Sequence, residues 1–205
     1  MFYNFMCYLV KGLLLLLNGK TDIQQKEKLP TNQNYILISP HRTWLDPVFL
    51  ALGAFPKKFC FMAKKELFKN PLLRWLITKM NAFPVDRENP GPSVIKIPVN
   101  HLKNDDLSLI MFPSGSRHSD ESKNGAAMIA RMAKVPIVPA VYHGPFSFKN
   151  LLKRQKTIVR FGDPIYITSK EDQALFAETI KKAFDQLDKE IDPNFTWVPQ
   201  PKKQK

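Results

Sequence analysis

Five short apolar runs punctuate this chain at Tyr35–Ser39, Lys58–Met62, Leu107–Phe112, Ile137–Tyr142 and Thr157–Phe161. Between them lie stretches with helical periodicity at Pro47–Gly53, Lys65–Met80, Ser93–Leu102 and Gly125–Lys134. That alternation constrains the fold more than any other feature. Runs of this length read as strands, and strands that alternate with helices build an α/β domain on a largely parallel or mixed sheet. The expected architecture is a single α/β domain with helices flanking a mixed, largely parallel central sheet. A last helix, Lys170–Ile191, should turn Leu175, Ile180, Phe184 and Leu187 inward. Pro98 interrupts the Ser93–Leu102 pattern and weakens that helix.

Ahead of the alternation stands "MFYNFMCYLVKGLLLLLNGK". It lacks the basic start and small-residue cleavage site of a secretory signal. Lys11 interrupts the apolar run, which is short of the about 20 apolar residues a span needs. Two readings remain, a buried core helix or one lying in a single leaflet with Lys11 and Lys20 at headgroup level; the second is favoured. Residues 1–20 are therefore read as a membrane-associating helix, 30–195 as the main domain and 196–205 as a basic tail. The stretch "TDIQQKEKLPTNQN" reads as a polar linker.

Charge narrows the partners. The net charge of +13 argues for something anionic: a phosphate-bearing substrate, an acidic membrane surface or nucleic acid. No nucleic-acid-binding module accompanies the basic segment "FKNLLKRQKTIVR". Cys7 and Cys60 are too few for a disulfide framework or a zinc site, and the four histidines show no metal-ligand spacing.

In α/β sheets, ligands gather where strands end and loops begin. Three such exits carry unusual chemistry: "SPHRTWLDP", "FPVDREN" and "FPSGSRHS". His41 and Asp46 lie five apart, a spacing that does not share a helix face. Pro40 biases Ser39 away from helical angles. A turn must bring the pair together. An imidazole suits general-base work near neutral pH, and a carboxylate on its other nitrogen fixes its tautomer. Asp46 has a plainer reading as a helix N-cap ahead of Pro47. No nucleophile elbow is present, so the base would act directly on a substrate hydroxyl.

In the third loop, Ser114, Gly115, Ser116 and Arg117 offer hydroxyls, a close-approaching backbone and a guanidinium to an anion, or simply make a turn. Arg87 could contact phosphate or pair on the surface with Asp86 or Glu88. Lys123, just before an expected helix start, suits a phosphate or plain solvation. The stretch "NPLLRWLITKMNAF" reads as ordinary core or as an acyl groove.

Together the loops resemble the lysophospholipid and glycerol-phosphate acyltransferase family, most closely its lysophosphatidic acid acyltransferase branch. "HRTWLD" is similar to the H-x-[ST]-x-x-D block through His41, Thr43 and Asp46, and "FPVDR" to the second block through Arg87. "FPSGSR" resembles F-P-E-G-T-R through Phe112, Pro113, Gly115 and Arg117. Lys123 and Gly125 fit the lysine-glycine pair, and "VPIVPA" the fourth block. Four ordered blocks, within about Ile36 to Ile165, are specific where one would not be. The chain departs at four places: Ser114 for glutamate, Ser116 for threonine, Asn81 for a common glycine, and Pro40 for asparagine before the histidine.

The resemblance implies transfer of a fatty acyl group from an acyl thioester to the free hydroxyl of lysophosphatidic acid, giving phosphatidic acid. His41 would be the base and Asp46 its orienter. Arg87, Ser114, Gly115, Ser116, Arg117 and Lys123 would hold the acceptor. It implies acyl carrier protein or coenzyme A as donor, no resident cofactor or metal, and a peripheral or monotopic place on the cytoplasmic face of the cell membrane. Because Ser114 brings no charge, another lysolipid acceptor is an alternative. So is a catalytically silent membrane-surface protein, against which the joint retention of His41, Asp46, Arg87 and Arg117 argues.

Overall fold

The computed structural model describes residues 1–86, 89–112 and 119–196, without the side chains of 119–123 and 148. Seven strands form one sheet: β1 (Asp22–Gln24), β2 (Ile36–Ile38), β3 (Phe59–Lys64), β4 (Ala82–Val85), β5 (Ser108–Met111), β6 (Ile137–His143) and β7 (Ile158–Phe161), in the order β1-β7-β6-β2-β5-β3-β4. β2 pairs in parallel with both β5 and β6, and β3 in parallel with β5 and β4. β7 alone turns against its neighbour β6, and β1 follows β7 in parallel. The sheet is mixed and mostly parallel, as the alternation implies.

Burial follows the pleat. Leu37 faces one core with Phe49, Phe59, Ile110, Tyr142 and Phe161. Ile36 and Ile38 face the other, with Cys60, Leu109, Ile129, Phe176 and Ile180. Strands buried on both faces need apolar residues at every position, and all of Ile36–Ile38 is buried. Helices α1 (Phe2–Leu17), α2 (Asp46–Gly53) and α6 (Phe148–Leu152) supply residues to the first core. α4 (Ser93–Asn104), α5 (Ser119–Ala133) and α7 (Lys170–Ile191) supply the second.

Several expectations need correction. The supposed linker contributes β1, so the sheet reaches back to Asp22. "AFPV" forms β4, an edge strand whose exposed Pro84 is tolerated because only one neighbour pairs with it. The helix expected over Lys65–Met80 is split into a 3₁₀ turn, Lys65–Phe68, and α3 (Pro71–Lys79). Asn70 caps α3 by accepting from the Leu73 amide at 3.0 Å, with Pro71 at the first helical position. None of the residues of α3 is buried, so "NPLLRWLITKMNAF" is not ordinary core along its helix. α4 runs through Pro98, held by the packing of Val94, Ile95, Ile97, Val99 and Leu102. α5 begins at Ser119, six residues earlier than expected from Gly125. On α7, Leu175 points outward and Phe176 takes the inward place beside Ile180 and Leu187.

Apart from Asn4 and Lys11, α1 carries apolar residues on both its inner and its outer face. Tyr3, Cys7 and Leu14 are buried, with Val10 and Leu17 packed on the core. Phe5, Leu9, Leu13 and Leu16 are each more than half exposed. Burial pushes the Cys7 thiol up from its ordinary value. At its end, buried Asn18 donates to Thr157 Oγ1 at 2.7 Å and to the Gln155 carbonyl at 3.1 Å, and Arg154 donates to the Leu16 carbonyl. The helix is thereby tied to the start of β7.

Candidate active site

Parallel pairing gives the sheet one chemical edge. Because β2, β3, β4, β5 and β6 all point the same way, their C-terminal ends, and the loops that follow, lie along that edge. The turn after β2 carries His41. β5 is its immediate neighbour and leads into segment 113–118. β4, leading to Arg87, is three strands away, or roughly 14 Å at the usual strand spacing.

His41 and Asp46 are brought together by a turn. His41 Nδ1 lies 3.3 Å from Asp46 Oδ2, with the carboxylate wholly buried and the imidazole 46% exposed. The expected N-cap role is replaced by another. Asp46 is the first residue of α2, with Pro47 after it, and the helix start has no side-chain cap. Its Oδ2 instead reaches back to accept from the amides of Arg42 at 2.7 Å and Thr43 at 2.9 Å. One oxygen thus gathers the turn and faces the imidazole. Oδ1 is buried with no hydrogen-bond partner among the described residues.

The surroundings lock this geometry. Phe112, the last residue of the chain before segment 113–118, packs its ring 4.8 Å from the His41 ring. Thr43 Oγ1 donates to the Phe146 carbonyl at 3.1 Å and accepts from the Leu45 amide at 3.3 Å. Below Asp46, Tyr142 stacks on Phe49 at 4.9 Å and donates to the Pro145 carbonyl. Burial first, and the nearby Asp46 charge second, push the Tyr142 phenol far above its ordinary value. That tyrosine stays neutral. Gly144 is required here by space, because a Cβ would fall 2.7 Å from the Tyr142 hydroxyl.

A second charged group, invisible in the sequence, adjoins the turn. Arg42 forks onto Asp188 near the end of α7, Nη1 to Oδ1 at 2.8 Å and Nη2 to Oδ2. His143 Nε2 meets Asp188 Oδ1 at 2.7 Å. Burial opposes ionisation of Asp188, but the hydrogen bonds from His143 and Arg42 outweigh it and hold the carboxyl below its ordinary range. No local spacing signals this contact, since Arg42 and Asp188 are 146 residues apart.

Of the other expected site residues, Arg87, Ser114, Gly115, Ser116 and Arg117 lie outside the described residues. Lys123 lies in the second turn of α5 rather than ahead of a helix. The departure at Asn81 has a structural reason: its φ is +61°, a left-handed conformation that glycine adopts freely and asparagine better than most.

Comparison with known proteins agrees. A family model described as "Acyltransferase" matches residues 20–143. The 1-acyl-sn-glycerol-3-phosphate acyltransferase of Streptococcus pneumoniae (strain ATCC BAA-255 / R6) is 49% identical over 93% of this chain and 74% of that protein. The protein of the same name from Bacillus subtilis (strain 168) is 39% identical over 93% of this chain and 98% of its own length. The crystal structure of the 1-acyl-sn-glycerophosphate (LPA) acyltransferase PlsC from Thermotoga maritima superposes with a TM-score of 0.63 at 22% identity, over 90% of this chain and 79% of that one. At that identity the superposition speaks for the fold.

Proposed function

The chain belongs to the acyltransferase family, and from that membership we propose that it acylates the free hydroxyl of lysophosphatidic acid, with His41 as general base. The carrying observation is the half-exposed imidazole of His41, backed by a buried carboxylate at 3.3 Å, on the strand exit that bears the family's first block. The names of the relatives support the acceptor.

The reaction follows from that pair. The acceptor hydroxyl gives its proton to His41 Nε2 as its oxygen attacks the thioester carbonyl. Asp46 Oδ2 steadies the imidazolium through Nδ1–H. The tetrahedral intermediate then expels the thiolate, which takes the proton back and leaves as free thiol. General-base catalysis contributes about 10²–10⁴-fold and alignment of hydroxyl and thioester the rest. The donor is a thioester of acyl carrier protein or coenzyme A. The acceptor phosphate is held by Arg87, by Ser114, Gly115, Ser116 and Arg117, and by Lys123, residue types whose hydroxyls, backbone amides and cations suit it. Ser114, where the family carries glutamate, favours a second reading with another lysolipid as acceptor.

Membrane association at the cytoplasmic surface completes the proposal. Among the described residues no helix is long and apolar enough to cross a membrane. The outward face of α1, with Phe5, Leu9, Leu13 and Leu16, is suited to one leaflet, where half-burying four such side chains contributes roughly 3–6 kcal/mol. Net charge of +13 adds attraction to an anionic surface.

The test is acyl transfer by purified protein with lysophosphatidic acid, offering each thioester separately, beside His41→Ala. Phosphatidic acid should form with at least one donor and fall at least about 10²-fold in the variant. Absence of product with both donors would remove the acceptor; undiminished turnover by His41→Ala would remove the base.

A further inference from the structure

Arg42 stands between the general base and Thr43, and its two ends do different things. Its amide donates to Asp46 Oδ2 at 2.7 Å, so the carboxylate behind His41 is registered by the backbone of Arg42. Its side chain leaves the turn and grips Asp188 through both guanidinium ends. Asp188 is held in turn by His143 Nε2 at 2.7 Å. Phe195 closes the cluster, 4.8 Å from the guanidinium carbon and 4.2 Å from the His143 ring. The Arg42 and Asp188 side chains are 5% and 8% exposed.

We propose that Asp188 is a positioning residue of the reaction, fixing the His41 turn through Arg42. This rests on the reading of His41 as base. A buried ion pair adds little net stability over apolar packing, but a two-pronged one is geometrically exacting. Here it joins three elements: the turn after β2, the end of β6 at His143 and the last turns of α7. The turn is also held by Thr43 to Phe146, by the two amides on Asp46 and by the His41–Phe112 ring contact, none of which reaches α7. A catalytic group displaced by about 1 Å can lose roughly 10² in rate. Asp188 contacts Arg42 and His143, not the reacting atoms, so it acts through the turn.

Asp188→Asn tests this with three readings: steady-state kinetics, circular dichroism, and hydrogen exchange at the Arg42 and Thr43 amides. The expected result is a folded protein whose kcat falls roughly 10–100-fold while the lysolipid KM stays within about twofold. Exchange at the two amides should quicken at least about tenfold. The double variant Arg42→Gln/Asp188→Asn leaves a neutral pair with no stranded charge. It should lose about as much kcat as the single variant, since both cut one link. Folded variants with kcat within threefold of wild type, or with unchanged amide exchange, would overturn the proposal. So would failure of both to fold, which would assign the link to the fold as a whole. The exchange reading needs no turnover, so it stays informative if the acceptor or base assignment fails.

Discussion

Replacing Asp46 by asparagine removes one charge and little volume, and its cost can be worked from the site. At 3.3 Å from the imidazole nitrogen, a full negative charge stabilises the imidazolium by about 5 kcal/mol at an effective dielectric near 20 and about 1.3 kcal/mol at that of water. One partner is wholly buried and the other 46% exposed, so a value of about 2–3 kcal/mol is reasonable, or near 10² in rate. Orientation adds to this. The amide oxygen can keep the bonds from the Arg42 and Thr43 amides, but the nitrogen then occupies the Oδ1 position, where the described residues offer no partner. Turning the amide round would set donors against donors. Either arrangement costs about 1–3 kcal/mol of folding stability and loosens the turn. The expected outcome is a kcat lower by about 10²–10³, with the protein still folded. Thiol release and phosphatidic acid formation, measured beside a thermal melt, give both numbers. A folded Asp46→Asn enzyme with kcat within threefold of wild type would refute the reasoning and leave the carboxylate as a clip for the turn alone.

Leu9→Glu/Leu13→Glu changes only the outward face of α1. It should weaken sedimentation with anionic vesicles at least about tenfold while leaving the melting temperature nearly unchanged, and equal sedimentation of both proteins would deny that face a lipid role. Asn81→Gly should be stability-neutral or slightly favourable, whereas Asn81→Ala should cost about 1–2 kcal/mol, as read by chemical denaturation; a clear loss in Asn81→Gly would mean that the Asn81 side-chain bond to the Phe59 carbonyl outweighs backbone preference, and equal stability of the two variants would refute the backbone account.

How much of this was legible beforehand divides along physical lines. Central strands announce themselves because burial on both faces forces apolar runs such as Ile36–Ile38. The two strands missing from the five apolar runs, β1 and β4, are the two edges of the sheet. Edge strands are kept short, polar or proline-bearing to discourage further pairing, so "DIQ" looks like linker and "AFPV" shows only as a brief apolar stretch before the exit at Arg87. His41 and Asp46 were readable because a single turn holds both. Asp188 and His143 were not, because their partnership with Arg42 exists only after α7 has packed against β6. Leu175 and Phe176 show the same limit in miniature: adjacent apolar residues on a helix compete for one inward place, and the neighbouring helix decides.

The tether at Asn18 sets an angle as well as a position. Near its start α1 sets the Phe2 ring 5.4 Å from that of Trp75 on α3, on the β3–β4 side of the sheet. Near its end it is fastened to Thr157, at the foot of β7 and level with His143 on β6. The helix therefore crosses beneath the sheet from its β3–β4 side to β7, as a keel runs beneath a hull. With that keel lying flat in a leaflet, the strands run along the membrane and the edge bearing His41 looks sideways across the lipid surface. An acceptor would drift in laterally, its headgroup already at the height of the base, and would not have to be lifted out of the bilayer to react.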